Sequence, residues 1–242
     1  FCIDYYAKNI NIDPYQSYNN LNLLTESPMS VFFRYNSLYV ISSSPERFIK
    51  RNNNKITTEP IKGTIRKNRI RHEDLKNISY LKNNSKELSE NHMIVDLVRN
   101  DLSKIACKGS VKVKELASLY SFKNVHQLIS SVEAEIKEST KFSEILKSSF
   151  PMGSMTGAPK IKSMELIDEF EKTQRGIYSG SIGYISPSKN FDFNVVIRSI
   201  IYDSKNNKLN INVGSAITIA SDPENEYEEC KLKAEAMINS LK

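Results

Sequence analysis

"SVFFRYNSLYVISSSPERFIKRNNNKITTEP", residues 30–60, reads as apolar or alternating runs cut by short polar breaks. The runs are "SVFFRY" (30–35), "SLYVISSS" (37–44), "ERFIKR" (46–51) and "KITTEP" (55–60), broken at "YNS" and "NNN". Period-2 alternation bounded by Asn and Ser predicts a meander of antiparallel strands. From Ser85 the period changes: Leu88, Ile94, Val95, Leu97, Val98, Leu102 and Ile105 recur at threes and fours, which predicts a helix.

Further along, "KFSEILKSSF" (141–150) predicts a short helix ending at Pro151, and "KIKSMELIDEFEK" (160–172) one that starts at Pro159. Strands are expected again at "GSIGYIS" (180–186), "FDFNVVIRSIIYD" (191–203) and "LNINVGSAITIA" (209–220). A last helix opens at Asp222-Pro223, an N-cap followed by a first-turn proline, and runs to Lys242. Strand blocks alternating with helix blocks, without regular βαβ spacing, predict an α+β fold with antiparallel sheets.

The bulk composition excludes several classes of protein. Hydrophobic residues make up 39% of the 242 and charged residues 26%, the balance of a globular chain. Runs such as "VVI" (195–197) are far too short to span a bilayer, so no membrane association is expected. The net charge of +6 comes from lysines spread along the chain and interleaved with acids, so nucleic acid is not the expected partner. Cys2, Cys107 and Cys230 are widely spaced and include no CxxC pair, which suits a reducing, cytoplasmic setting.

Several local patterns carry chemistry. "KELSEN" sets Glu87 and Glu90 at i and i+3 on one helix face, and "ENEYEEC" repeats the device with Glu226 and Glu229. Magnesium takes oxygen ligands, commonly one or two carboxylates with waters and an anionic substrate. The same spacing also suits a solvated helix face, so both readings stay open at this point. Of 8 glycines, Gly153, Gly157, Gly176, Gly180 and Gly183 crowd into one stretch, where the backbone either meets a ligand or turns tightly. Arg198 interrupts the apolar run "NVVIRSII", and alternation places it inward with Val196 and Ile200, in need of a protein or substrate carboxylate. His72, His92 and His126 show no ligand spacing. Lys62 lies between Pro60 and Gly63, in a turn those two residues would tighten.

Together these segments resemble the chorismate-utilising enzymes. The matching stretches are "SSSPERF" (42–48), "PIKGT" (60–64), "SENHMIVDLVRNDL" (89–102), "GSMTGAPK" (153–160), "IYSGSIGY" (177–184), "VVIRS" (195–199) and "EYEECKLKA" (226–234), in the family's order. The resemblance implies an anthranilate-synthase-like fold, with packed antiparallel sheets and helices outside. It also implies that residues 1–242 are a chorismate-binding catalytic domain without its N-terminal segment.

Carried over residue by residue, Glu90 and Glu229 resemble the Mg2+ ligands, with Glu87 and Glu226 beside them. Glu46 resembles the general acid. Gly63, Thr64, Tyr178, Arg198 and the backbone of Gly214, Ser215 and Ala216 match positions that hold the carboxylates of chorismate. Lysine at position 62 resembles the aminodeoxychorismate synthase branch; anthranilate, isochorismate and salicylate synthases typically carry alanine there. The implied chemistry is attack of Lys62 on C2 of chorismate, then displacement by ammonia at C4, on the path to p-aminobenzoate and folate. A separate glutamine amidotransferase subunit would supply the ammonia. A free lysine, with a pKa of ~10.4, is almost wholly protonated at neutrality, so a nucleophilic role asks for a desolvating or cationic setting. The chain departs from the family pattern at "VHQLIS" (125–130), where Gln127 replaces a frequent histidine, and at "GSA" (214–216), where Ala216 replaces a glycine. "SPMS" (27–30) resembles part of the allosteric tryptophan site of anthranilate synthases.

Overall fold

The computed structural model describes residues 1–219 and 221–242. In chain order the strands and helices are β1 (Cys2–Lys8), α1 (Pro14–Thr25), β2 (Met29–Tyr35), β3 (Leu38–Ser44), β4 (Arg47–Asn52), β5 (Lys55–Glu59) and β6 (Ile61–Arg66). Next come α2 (Arg71–Asn83), α3 (Ser85–Ser103), β7 (Lys112–Ser121), β8 (Val125–Glu135), α4 (Phe142–Ser149) and α5 (Lys160–Phe170). The chain closes with β9 (Gly183–Ile185), β10 (Phe191–Asn194), β11 (Ser199–Asp203), β12 (Lys208–Gly214) and α6 (Pro223–Asn239). The fold is α+β, as the alternating blocks predict, and every strand pairing is antiparallel.

These elements form two compact units: residues 1–45, 166–182 and 195–242, and residues 46–165 and 183–194. The first unit holds a five-stranded sheet in the order β1-β12-β11-β3-β2. Its core is the inward row Ile41, Ile200, Tyr202, Leu209, Ile211 and Val213, covered by Leu21 of α1 and by Cys230, Ala234 and Met237 of α6. The α6 residues fall at i, i+4 and i+7, one helical stripe. Both helices start on the same device: Asp13 accepts from the backbone of Tyr15 and Gln16 ahead of Pro14, and Asp222 accepts from Asn225 ahead of Pro223.

The second unit holds a seven-stranded sheet, in which β6, β8, β5, β4, β10 and β9 follow one another and β7 covers the far edge of β8. The eleven-residue β8 pairs with β6 over its first half and with β5 over its second. The chain therefore runs along one edge of β8 in a single pass, with Pro60 at the join, where it cannot donate to the ladder. Its carbonyl accepts from Ser130 N–H at 3.1 Å. Helix α3 lies across β6, β7 and β8, with Ile94, Val95 and Leu102 buried.

The meander read from residues 30–60 supplies four strands, but β2 and β3 belong to the first sheet while β4 and β5 belong to the second. A second correction concerns "FDFNVVIRSIIYD", expected as one strand. It is two, β10 and β11, in different sheets, and Val195–Arg198 lie between them. Apolar periodicity registers burial and cannot register a change of sheet. Likewise β12 ends at Gly214, short of the predicted run to position 220; Ala220 itself lies outside the described residues.

Candidate functional site

In the second unit, the residues of "SPERF", "PIKGT" and "KELSEN" meet. A β-bulge falls between Ile61 and Thr64 of β6, so Lys62 and Gly63 stand out of register opposite β8. Lys62 is thus a strand-bulge residue and not the turn residue its Pro and Gly neighbours suggest. Its ammonium sits 3.8 Å from Glu90 Oε2, and the side chains are only 18% and 10% exposed. Glu90 Oε1 also lies 4.0 Å from Lys86. The cap sets this helix face: Asn84 Oδ1 accepts from the N–H of Glu87 at 3.1 Å, which fixes where the first turn presents Glu87 and Glu90.

Gly63 adopts φ +87°, and a Cβ there would come within 3.2 Å of Glu87 Oε2 and 3.3 Å of Leu81 and Leu128. Glycine is required twice over, for the backbone and for the space. Thr64 Oγ1 accepts from Gln127 Nε2 at 3.2 Å.

Glu46 is buried and accepts a 2.6 Å hydrogen bond from Ser154 Oγ. Burial pushes its carboxyl up to about 7, against smaller opposing pulls from Ser154, Lys62 and the Ile61 backbone. The carboxyl lines a cleft together with Thr58, Pro60, Met152, Gly153 and Ser154. A carboxylic acid that titrates near neutrality is suited to give a proton away. Ser154 belongs to "GSMTGAPK", within the glycine-crowded stretch, and its hydroxyl holds Glu46. The flanking Gly153 is needed for packing, since a Cβ would fall 2.8 Å from Leu97 Cδ2 of α3. Lys160 of the same motif is paired at 2.5 Å with Asp101, which the sequence reading passed over.

In the first unit, the residues of "IYSGSIGY", "VVIRS" and "EYEECKLKA" meet the segment after β12. Glu226 is buried and takes the hydroxyl of Ser215. Glu229 pairs with Lys233 at 2.5 Å, and Lys233 Nζ donates to the Gly214 carbonyl at 2.8 Å. The N–H of Ser215 is engaged by the Phe1 carbonyl at 3.1 Å, so of the expected 214–216 backbone donors this one is already spent within the protein.

Arg198 is half-buried and left-handed, with φ +52°, an uncommon backbone for a long side chain. Burial pushes its guanidinium pKa down, while Tyr178 and Glu229 oppose the shift. Its protein hydrogen-bond partner is a carbonyl, that of Lys233, at 3.4 Å. Among the described residues Arg198 forms no ion pair with a carboxylate, although Glu229 is close enough to act on its charge. Tyr178 is buried, and that burial raises its phenol.

His126 does not join either group. It is buried with both ring nitrogens engaged, by Asp74 at 3.0 Å and Ser121 at 2.8 Å. Among the described residues no three His, Cys, Asp or Glu side chains form a ready metal cage, and no helix is long and apolar enough to cross a membrane. The donor chemistry nonetheless fits Mg2+, which asks for only one or two carboxylates alongside water and substrate oxygens.

A chain with this fold and these clusters falls among the enzymes that bind chorismate. The sequence model of the chorismate binding enzymes matches residues 4–239, through both units, and the chain belongs to that family. It is 40% identical over 229 residues to aminodeoxychorismate synthase component 1 of Escherichia coli, an alignment covering 95% of this chain and 50% of that relative. Anthranilate synthase component 1 of Aquifex aeolicus is 35% identical over 236 residues, covering 98% of this chain and 47% of the relative. The chain therefore spans about half the length of these curated relatives. The crystal structure of anthranilate synthase component I from Streptococcus pneumoniae superposes with a TM-score of 0.87 at 31% identity, over 98% of this chain and 52% of that one.

Proposed function

We propose that the chain carries the chorismate chemistry of an aminodeoxychorismate synthase component 1, forming 4-amino-4-deoxychorismate from chorismate and ammonia. The observation that carries this is Lys62, a side chain largely withdrawn from solvent and set beside Glu90 in the same unit as the neutral-poised Glu46. Similarity alone divides between aminodeoxychorismate and anthranilate synthases, and the lysine is what favours the former.

Glu46, carrying its proton near neutrality, gives it to the C4 hydroxyl, which leaves as water. The Lys62 amine forms a bond to C2 as both ring double bonds shift and the C4–O bond breaks. Ammonia then bonds to C4, both double bonds shift back, and the C2–N bond breaks to return the lysine. The sum is chorismate plus ammonia giving 4-amino-4-deoxychorismate plus water. For the carboxylates of chorismate the proposal calls on Gly63 and Thr64 in the second unit, and on Tyr178, Arg198 and the 214–216 segment in the first.

Glu90 and Glu229, with Glu87 and Glu226 beside them, are the proposed Mg2+ ligands. When bound, the ion would neutralise the ring carboxylate and favour loss of the C4 hydroxyl. A glutamine amidotransferase is the proposed source of ammonia. The full-length protein, given chorismate, Mg2+ and ammonium, should yield 4-amino-4-deoxychorismate by mass and chromatography. Anthranilate or isochorismate as the main product would overturn the proposal.

A further inference from the structure

Among the described residues, Gln127 Oε1 is the buried side-chain polar atom without a hydrogen-bond partner. Gln127 is only 3% exposed, sits opposite Thr64 in the β6–β8 register, and spends its Nε2 donor on Thr64 Oγ1 at 3.2 Å. The register bulge that sets Lys62 and Gly63 apart begins at Thr64. A buried amide oxygen left unpaired costs free energy, so a donor is missing beside the candidate site. Exchanging the amide's oxygen and nitrogen would move the unpaired atom but leave one end of the group unsatisfied.

We propose that Gln127 is a specificity-determining residue whose amide oxygen accepts a hydrogen bond from the C4 hydroxyl of bound chorismate. This rests on the chorismate reading above. At neutral pH both carboxyl groups of chorismate are ionised and the side-chain ether has no proton, so the C4 hydroxyl is its one conventional donor. An acceptor on the hydroxyl hydrogen leaves the oxygen lone pairs free for the proton from Glu46. The group is neutral, so it neither repels the substrate's carboxylates nor competes for that proton. Gln127 thus selects for a hydroxylated ring and fixes which way the leaving group points. The residue is held in an unpaired state until substrate arrives, a local cost to the empty protein of the kind common at binding sites.

The test is calorimetric binding to the full-length protein with Mg2+ and without ammonium, using chorismate and an analogue lacking the C4 hydroxyl. Wild type should prefer chorismate roughly ten-fold, about one net hydrogen bond to a buried acceptor. Gln127→Met, of similar length but without the acceptor, should bind both ligands alike, at the level wild type shows for the deoxy analogue. Gln127→Asn keeps the amide but withdraws it by one methylene, and should lose the preference as well. A melting temperature near or above that of wild type should accompany the loss in Gln127→Met, since an unpaired buried group has been removed. Discrimination by Gln127→Met and Gln127→Asn equal to that of wild type would overturn this assignment alone. A wild type that binds neither ligand would overturn the chorismate reading together with it.

Discussion

Lys62 Nζ stands 3.8 Å from Glu90 Oε2, the bulged strand β6 facing the first turns of α3. A lysine side chain of which 18% is exposed is a held group, and the proposed chemistry requires its neutral amine. Lys62→Ala should cut formation of 4-amino-4-deoxychorismate by at least ~10²-fold, as loss of a covalent nucleophile does. It should also abolish any substrate adduct on the 57–67 peptide after rapid quenching and mass spectrometry. Lys62→Arg keeps the charge and should restore neither. An adduct that persists in Lys62→Ala would rule out the covalent role.

Glu46 predicts a pH dependence with a definite sign. Its folded-state carboxyl titrates at about 7 against an ordinary 4.5, so the folded protein binds this proton more tightly than the unfolded chain. The contribution to stability is full below pH 4.5 and is lost as pH rises through 7. The size is at most ~3–4 kcal/mol. Glu46→Gln retains an acceptor for Ser154 and carries no charge, so its urea midpoint should match wild type at pH 5 and exceed it at pH 8. Parallel curves for the two proteins would contradict the assignment. The same variant should turn over chorismate ~10²–10⁴-fold more slowly.

Much of this arrangement is legible in the chain. The two carboxylate pairs sit at i and i+3, so any helix there must present them on one face. Asp222-Pro223 announces α6, and the identical Asp13-Pro14 signal stands ahead of α1. Helix α2 is harder, because it buries only Leu81 and lacks a side-chain cap. The pairings that matter most are long-range: Ser154 reaches Glu46 across 108 residues, and Gln127 reaches Thr64 across 63. No local period encodes such contacts. The missing partner of Gln127 Oε1 is still less accessible, since it is a property of the whole environment.

For Glu90 the expected effect is on metal affinity. Its side chain is 10% exposed, and Mg2+ ligation would add to stability by mass action. Wild type should gain thermal stability as Mg2+ is titrated, and Glu90→Gln should shift that response to at least ~10-fold higher concentration. Calcium, which tolerates looser coordination, provides a control for simple charge screening. An identical Mg2+ response in both proteins would exclude Glu90 as a ligand.

Arg198 separates binding from stability. The left-handed backbone at φ +52° costs a non-glycine residue ~1–2 kcal/mol, while among the described residues the guanidinium donates to the Lys233 carbonyl and forms no ion pair. Arg198→Gly should therefore unfold later than Arg198→Ala, by about 1 kcal/mol in urea melts after allowing for the freer unfolded glycine. Both variants should bind chorismate ~10–100-fold more weakly than wild type, as expected when a charged hydrogen-bond partner is lost. Equal stability of the two would remove the backbone argument, and unaltered affinity would remove the ligand argument.

Gly63 offers the opposite case, a position where one methyl group should harm both properties. The new Cβ would press on Glu87 Oε2 at 3.2 Å and on the Leu81 and Leu128 methyls at 3.3 Å, from a backbone at φ +87°. The leucines are fully packed and Glu87 is held at its backbone by Asn84, so the strand has to give way. A shift of the bulge carries Lys62 with it. Gly63→Ala should lose ~1–3 kcal/mol in urea melts, the usual cost of overpacking. Its turnover should fall further than its chorismate affinity, because displacement of the neighbouring nucleophile affects the chemical step most directly. Equal losses in the two would mean that Gly63 serves carboxylate binding alone.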